Sequence, residues 1–186
     1  VGYMELPQKF ILDTNVPLTA NNALNCPEDS KDWHECALNC IELLESIVRT
    51  KDGLVLDKDG EIIKEYSHKL NYKGQPGLGN IFFKWLHDNR YGFPEQDRVH
   101  ITPVGDTYEE FPEHPDLANF DISDRKFIAV ANAHPNKKKP TIYEATDSKW
   151  WGWRKALEYV KIPVCFLGEE YVRRIFEQKF PKHADD

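Results

Sequence analysis

Phe10-Ile11-Leu12-Asp13-Thr14-Asn15 is an apolar run that stops on an acid and continues into two small polar residues. A run this short reads as a buried strand, which puts Asp13 at the strand's carboxyl end. Open α/β sheets bind ligands at that edge. A carboxylate there, beside an Asn carbonyl, is a hard oxygen donor set of the kind that suits Mg²⁺ or Mn²⁺. The plainer alternative is a turn or capping aspartate. The two readings separate on whether further acids reach the same edge.

Outward from this strand, residues 16–24 predict a short helix or turn, and 25–32, with Pro27, a polar loop. Asp32 is placed to cap a helix over 33–49 whose apolar stripe includes Ala37, Ile41, Leu44 and Val48. Leu54-Val55-Leu56-Asp57 reads as a second strand ending on an acid. Gly60 then leads into a helix over 61–72 with Ile62, Ile63, Tyr66 and Leu70 on its buried side. Strand followed by helix, twice, is the rhythm of a parallel sheet. A breaker cluster over 73–79 precedes an aromatic-rich helix over 80–89 and a short strand over 99–104. Residues 107–119, with four acids and two prolines, predict an irregular loop. Ser123 is a candidate N-cap for a helix over 124–133. A solvated Lys137-Lys138-Lys139-Pro140 turn, a strand over 141–145, a Trp-rich helix to 160, a strand over 164–167 and a helix over 169–180 follow. The expected architecture is α/β, a three-layer α/β/α sandwich around a mainly parallel sheet. It is read as one domain over 5–181, with an extended region at about 73–120.

A net charge of -7 argues against a generally basic nucleic-acid-binding surface, although a local basic groove is compatible with it. Hydrophobic content of 40% excludes a disordered chain. No apolar stretch approaches a membrane span, and no secretory signal pattern is present. Cys26, Cys36, Cys40 and Cys165 do not form a disulfide framework. Cys36 and Cys40 at i, i+4, with His34 and Cys26 nearby, invite a zinc site, but the paired C-x₂-C knuckle is missing and buried free thiols are the preferred reading. A reduced, cytoplasmic protein is expected. The seven histidines show no metal-ligand spacing and receive no role.

Three acids join Asp13 in comparable positions. Glu65 lies one turn into the helix after the second strand, Asp124 lies in the first turn of its helix, and Asp147 follows the strand over 142–145. Strand ends and helix starts gather at the carboxyl edge of a parallel sheet. Carboxylates crowded there raise one another's pKa, and a divalent cation resolves the conflict while serving phosphoryl chemistry.

The segments Phe10-Ile-Leu-Asp-Thr-Asn15, Glu65-Tyr66, Asp124-Arg-Lys-Phe-Ile-Ala-Val-Ala131 and Ala145-Thr-Asp147 resemble, in order, the acidic motifs of PIN-domain ribonucleases. The resemblance implies a Rossmann-like sandwich and a metal-dependent endoribonuclease, in which Mg²⁺ or Mn²⁺ activates water to hydrolyse RNA phosphodiester bonds. A toxin or defence effector fits this reading, with an antitoxin or other regulatory protein as partner and a homodimer as an option. By position, Asp13, Glu65, Asp124 and Asp147 would ligate the metal or hold metal-bound water. Asn15 would brace Asp13, and Asp121 and Thr146 would support the site. The family often has Ser or Thr where this chain has Ala145, which weakens the support of Asp147. Arg125, Lys126, Lys149 and Arg154 are the candidate phosphate contacts. Trp150, Trp151 and Trp153 either stack on bases or, for at least two of them, belong to the core. A catalytically silent RNA- or protein-binding module is the main alternative. A haloacid-dehalogenase-like phosphatase is disfavoured because Asn15 stands where a second Asp is wanted. The loop over 107–121 would cover the site or bind a partner.

Overall fold

A computed structural model describes residues 4–25, 30–73 and 77–181. Phe10–Leu12 forms β1, with all three side chains fully buried. β1 pairs in parallel with β6 (Thr141–Glu144), which pairs in parallel with β7 (Val164–Phe166). On its other side Phe10 makes a parallel bridge to Leu54, at the entrance to β2 (Leu56–Asp57), and β2 pairs in parallel with β3 (Arg98–Val99). Counting that bridge, the parallel order is β3-β2-β1-β6-β7. The chain leaves β1 toward β2 and later returns to β1's opposite side as β6, so the strand order reverses between β1 and β6.

The helices are α1 (Asn15–Asn21), α2 (Lys31–Thr50), α3 (Glu61–Lys69), α4 (Leu78–Asn89), α5 (Arg125–Ala133), α6 (Lys149–Tyr159) and α7 (Glu169–Lys179). The buried face of α2 is Trp33, Cys36, Ala37, Cys40, Leu43, Leu44 and Ile47, while Ile41 and Val48 are only half-buried. The stripe is therefore turned from the expected one, because Cys36 and Cys40 act as small apolar core residues. Burial pushes the Cys40 thiol well above its ordinary pKa, and Cys36 donates its thiol hydrogen to Ala145 O. Among the described residues no zinc set surrounds them; Cys26 and Pro27 lie outside those residues. Helix α4 crosses α1 so closely that a Cβ on Gly79 would lie 1.9 Å from Pro17 O.

Three local expectations change. Ser30, not Asp32, occupies the N-cap of α2, and Asp32 pairs with Arg174 of α7 at 2.7 Å. The strand expected over 99–104 divides into β3 and β4 (Pro103–Val104), since β4 turns back through Gly105, at φ +57°, onto an antiparallel β5 (Thr107–Tyr108). The irregular loop expected over 107–119 instead begins in β5, and the rest of it is docked: Arg125 donates to Phe120 O and Ala118 O, Asn132 to Glu110 O, and Leu117 and Phe120 are buried.

A buried ionic knot ties the sheet's amino-terminal side together. Lys9 Nζ lies 2.7 Å from Asp97 Oδ2, and fully buried His134, to which no role had been assigned, lies 3.4 Å from Asp97 Oδ1. No helix among the described residues is long and apolar enough to cross a membrane.

Candidate metal centre

Strand register builds the site. Leu12 lies opposite Tyr143, and Asp13 N–H donates to Tyr143 O at 3.0 Å. The next residues along the two parallel strands, Asp13 and Glu144, therefore emerge side by side at the point where the strand order reverses. In parallel sheets that crevice is the usual ligand position. Both side chains are buried, Glu144 completely. Asp13 Oδ1 accepts the Asn15 N–H at 2.7 Å, so the brace expected from Asn15 comes from its backbone.

Helices α3 and α5 bring two more carboxylates. Glu65 reaches back over β1, where Thr14 Oγ1 donates to its Oε1 at 2.6 Å. One residue on, Tyr66 OH donates to Leu12 O at 2.6 Å and fixes α3 against the end of β1. Asp124 lies in a 3-10 turn, Ile122–Asp124, that enters α5. The cap of this turn is Asp121, which accepts from Ser123 N, so Asp121 takes the role expected of Ser123. Asp124 Oδ2 accepts the indole N–H of fully buried Trp150 at 3.0 Å. One ligand oxygen each from Asp13, Glu65 and Asp124 lie within 4.8 Å of one another. A single hard cation can bridge oxygens so placed.

The electrostatics match this crowding. Burial first, and the Asp124 charge second, raise Asp13 from 3.8 to about 8. Burial raises Asp124 to about 6, against the Trp150 bond and with the help of neighbouring acids, Glu65 first. Glu144 is raised well above the carboxylate range by burial and by Asp13. Its Oε1 accepts the Asp147 N–H at 2.8 Å, while its Oε2 is buried without a donor. The Asp13 and Glu144 carboxyl groups lie within hydrogen-bonding reach of each other. Two carboxylates offer no donor between them, so this contact is favourable only with a proton or a cation present.

Asp147 stands beside the triad rather than in it. Its Oδ1 accepts the Lys149 N–H at 2.9 Å, and its charge acts on both Asp124 and Glu144. Thr146 lies 3.5 Å from the Thr19 hydroxyl. Sequence reasoning did not find Glu144, although Ile142-Tyr143-Glu144 repeats the Ile11-Leu12-Asp13 pattern of an apolar run ending on an acid.

The candidate phosphate contacts are differently placed. Lys126 is buried and turns inward, its ammonium on Glu65 Oε2 and Ser123 O. Arg125 holds the docked loop, and Lys149 pairs with Asp121 at 3.1 Å. Asp121 is lowered because bonds from Ser123 and Lys149 outweigh the effect of its burial. Arg154 lies over the Trp151 ring, 4.3 Å from its centre, and both line a groove of about 770 Å³ along β7. The groove also carries Lys137, Lys138, Lys139, Lys155 and Lys161 against Glu158 and Glu169. Trp150 is core, and Trp153 packs on Phe120 with ring centres 4.4 Å apart.

Comparison with family models, curated proteins and solved structures finds no match to this chain.

Proposed function

We propose that this protein is a metal-dependent endoribonuclease of PIN-like design, its helices forming two layers about the parallel sheet. The observation that carries the reading is the convergence of Asp13, Glu65 and Asp124 at the strand-order reversal, with the partnerless Glu144 oxygen behind them. Four acids from four separate segments are costly to assemble without a cation, and the all-oxygen donor set fits Mg²⁺ or Mn²⁺. Asp13, Glu65 and Asp124 would hold the ion, and Glu144 and Asp147 would set the charge around it. A divalent ion bound there supplies the Lewis acidity that phosphodiester hydrolysis needs. Thr14, the Asn15 N–H and Trp150 orient one carboxylate each. The basic groove along β7 supports an anionic substrate. The groove and the centre are separate and share only helix α6, where Trp150 holds Asp124 and the next residue, Trp151, lines the groove.

The test is cleavage of RNA with Mg²⁺ or Mn²⁺, beside Asp13→Asn and Asp124→Asn variants that keep wild-type melting behaviour. Cleavage lost in EDTA and in both variants supports the reading; cleavage that survives EDTA sinks it. One observation favours a silent RNA- or protein-binding module instead. The Lys126 ammonium already supplies a positive charge to Glu65. Absence of both Mn²⁺ binding and cleavage in the folded protein selects that reading.

A further inference from the structure

On the far side of α3 from Glu65 lies a second pocket, of about 430 Å³, between the end of β2, the amino-terminal half of α3 and the turn after α4. Lys58, Lys64, Arg90 and Arg98 line it, with Asp57 and Asp59 as the acids. Both acids have partners of their own. Asp57 accepts the Glu61 and Ile62 N–H groups at 2.7 and 2.8 Å, capping α3. Asp59 lies 3.1 Å from His100 Nδ1. Arg90 Nη1 and Arg98 Nε are buried and have no hydrogen-bond acceptor. Buried guanidinium N–H groups without acceptors are costly, and two residues that line one concavity each carry one, which suits the pocket to an anion.

We propose that this pocket binds a phosphate monoester. A doubly charged group with three terminal oxygens matches two guanidinium groups that each keep one N–H without an acceptor, Arg90 giving another to Tyr91 OH, and a lining with two more cations than anions. Helix α3 is not the recognising element, since Asp57 occupies its first N–H groups. The volume lies in the range of small-molecule sites, so the pocket has room for more than the phosphate. Tyr91 borders it with an exposed ring, and the Arg90 guanidinium lies 4.7 Å from that ring's centre. Gly60 keeps the α3 side open, because a Cβ there would meet nothing within 4 Å. The phosphate can belong to a free mononucleotide-sized ester or to the 5′ end of a nucleic-acid strand.

Calorimetric titration in EDTA and low salt tests this without any hydrolysis, and so independently of the proposed nuclease activity. The probes are adenosine 5′-monophosphate, a 5′-phosphorylated RNA tetranucleotide and its 5′-hydroxyl twin. The phosphorylated tetranucleotide, the monophosphate or both are expected to bind at least about tenfold tighter than the hydroxyl twin, from the strength of charge-assisted bonds. Preference for the monophosphate assigns the free ester, and preference for the tetranucleotide assigns the strand end. Arg98→Gln, with folding checked by thermal melting, is expected to lose at least about tenfold in that binding. Lys64→Gln, at an exposed position that folding tolerates, loses a smaller factor and keeps the test open if the arginine variant does not fold. Binding that ignores the phosphate, or that is unchanged in both variants, overturns the proposal.

Discussion

Two buried clusters of ionisable groups lie at opposite ends of the same sheet and are built on opposite plans. At the amino-terminal side, Asp97 is enclosed by the Lys9 ammonium on one oxygen and by His134 on the other, where burial lowers the imidazole pKa and favours its neutral form. At the carboxyl side, Asp13 and Glu144 face each other with Glu65 and Asp124 alongside, and the nearby ammonium groups of Lys126 and Lys149 are engaged by Glu65 and Asp121. Burial is nearly the same, with Asp97 and Asp13 each about 1% exposed. What differs is the partner. A buried acid with a counter-charge behaves as a structural tie; a buried acid facing other acids is held there by the rest of the fold and is a candidate cation site.

The largest effect comes from breaking the tie. Asp97→Ala leaves Lys9 and His134 without their shared acid, and is expected to cost about 3–5 kcal/mol in chemical denaturation. Asp13→Asn replaces a carboxyl that is largely protonated below about pH 8 without metal, and in EDTA should change stability by under about 1 kcal/mol or raise it. Equal losses for the two variants would erase the distinction between the clusters.

Adding the missing counter-charge is the next largest. Mn²⁺ at one hundred times its dissociation constant should stabilise the wild type by about 2.7 kcal/mol. Asp13→Asn should show little of that gain by calorimetry. A melting temperature that does not respond to Mn²⁺ would leave the acidic side with no cation to explain it.

Acidity separates the clusters one pH unit at a time. The folded Asp13 value of about 8 lies above its ordinary 3.8, so between those values the native state holds a proton that the unfolded chain has lost. Metal-free stability should therefore be full at the acid end and fall as pH rises through that window, by at most about 1.4 kcal/mol per pH unit for this group. Denaturant midpoints at pH 5, 6.5 and 8 in EDTA read the slope, and Asp13→Asn should flatten it. A wild-type profile as flat as the variant's removes the linkage. Least of all should come from Lys149→Met, which breaks an exposed pair with Asp121 and is expected to cost about 0.5 kcal/mol. A loss near that of Asp97→Ala would mean that exposure does not govern these pairs.

Much of this architecture was legible locally. The strand readings at β1, β6 and β7, and the helix readings at α2, α3, α5, α6 and α7, rest on apolar runs and periodicities that hold in the structure. Asp13, Glu65 and Asp124 were legible because each follows directly from its place on such an element. Glu144 was not, since only the pairing of Leu12 with Tyr143 puts it beside Asp13. The inward turn of Lys126 was hidden for a similar reason: a lysine next to an acid in sequence looks solvated until another helix presents a carboxylate to it. The region over 98–120 was misread because its strands are two residues long and its loop is fixed by distant donors such as Arg125 and Asn132.

Three runs in this chain end on an acid: Ile11-Leu12-Asp13, Val55-Leu56-Asp57 and Ile142-Tyr143-Glu144. The sequence by itself determined that the first two are strands ending on a carboxylate and that the third is a strand, because apolar content and length are local properties; that Glu144 reaches the same edge it did not determine. Tertiary structure alone decided their fates. Asp57 meets the first N–H groups of α3 and becomes a cap, while Asp13 and Glu144 meet each other and become a candidate centre. A carboxylate's role follows from which donor reaches it, and donors arrive from elements far along the chain.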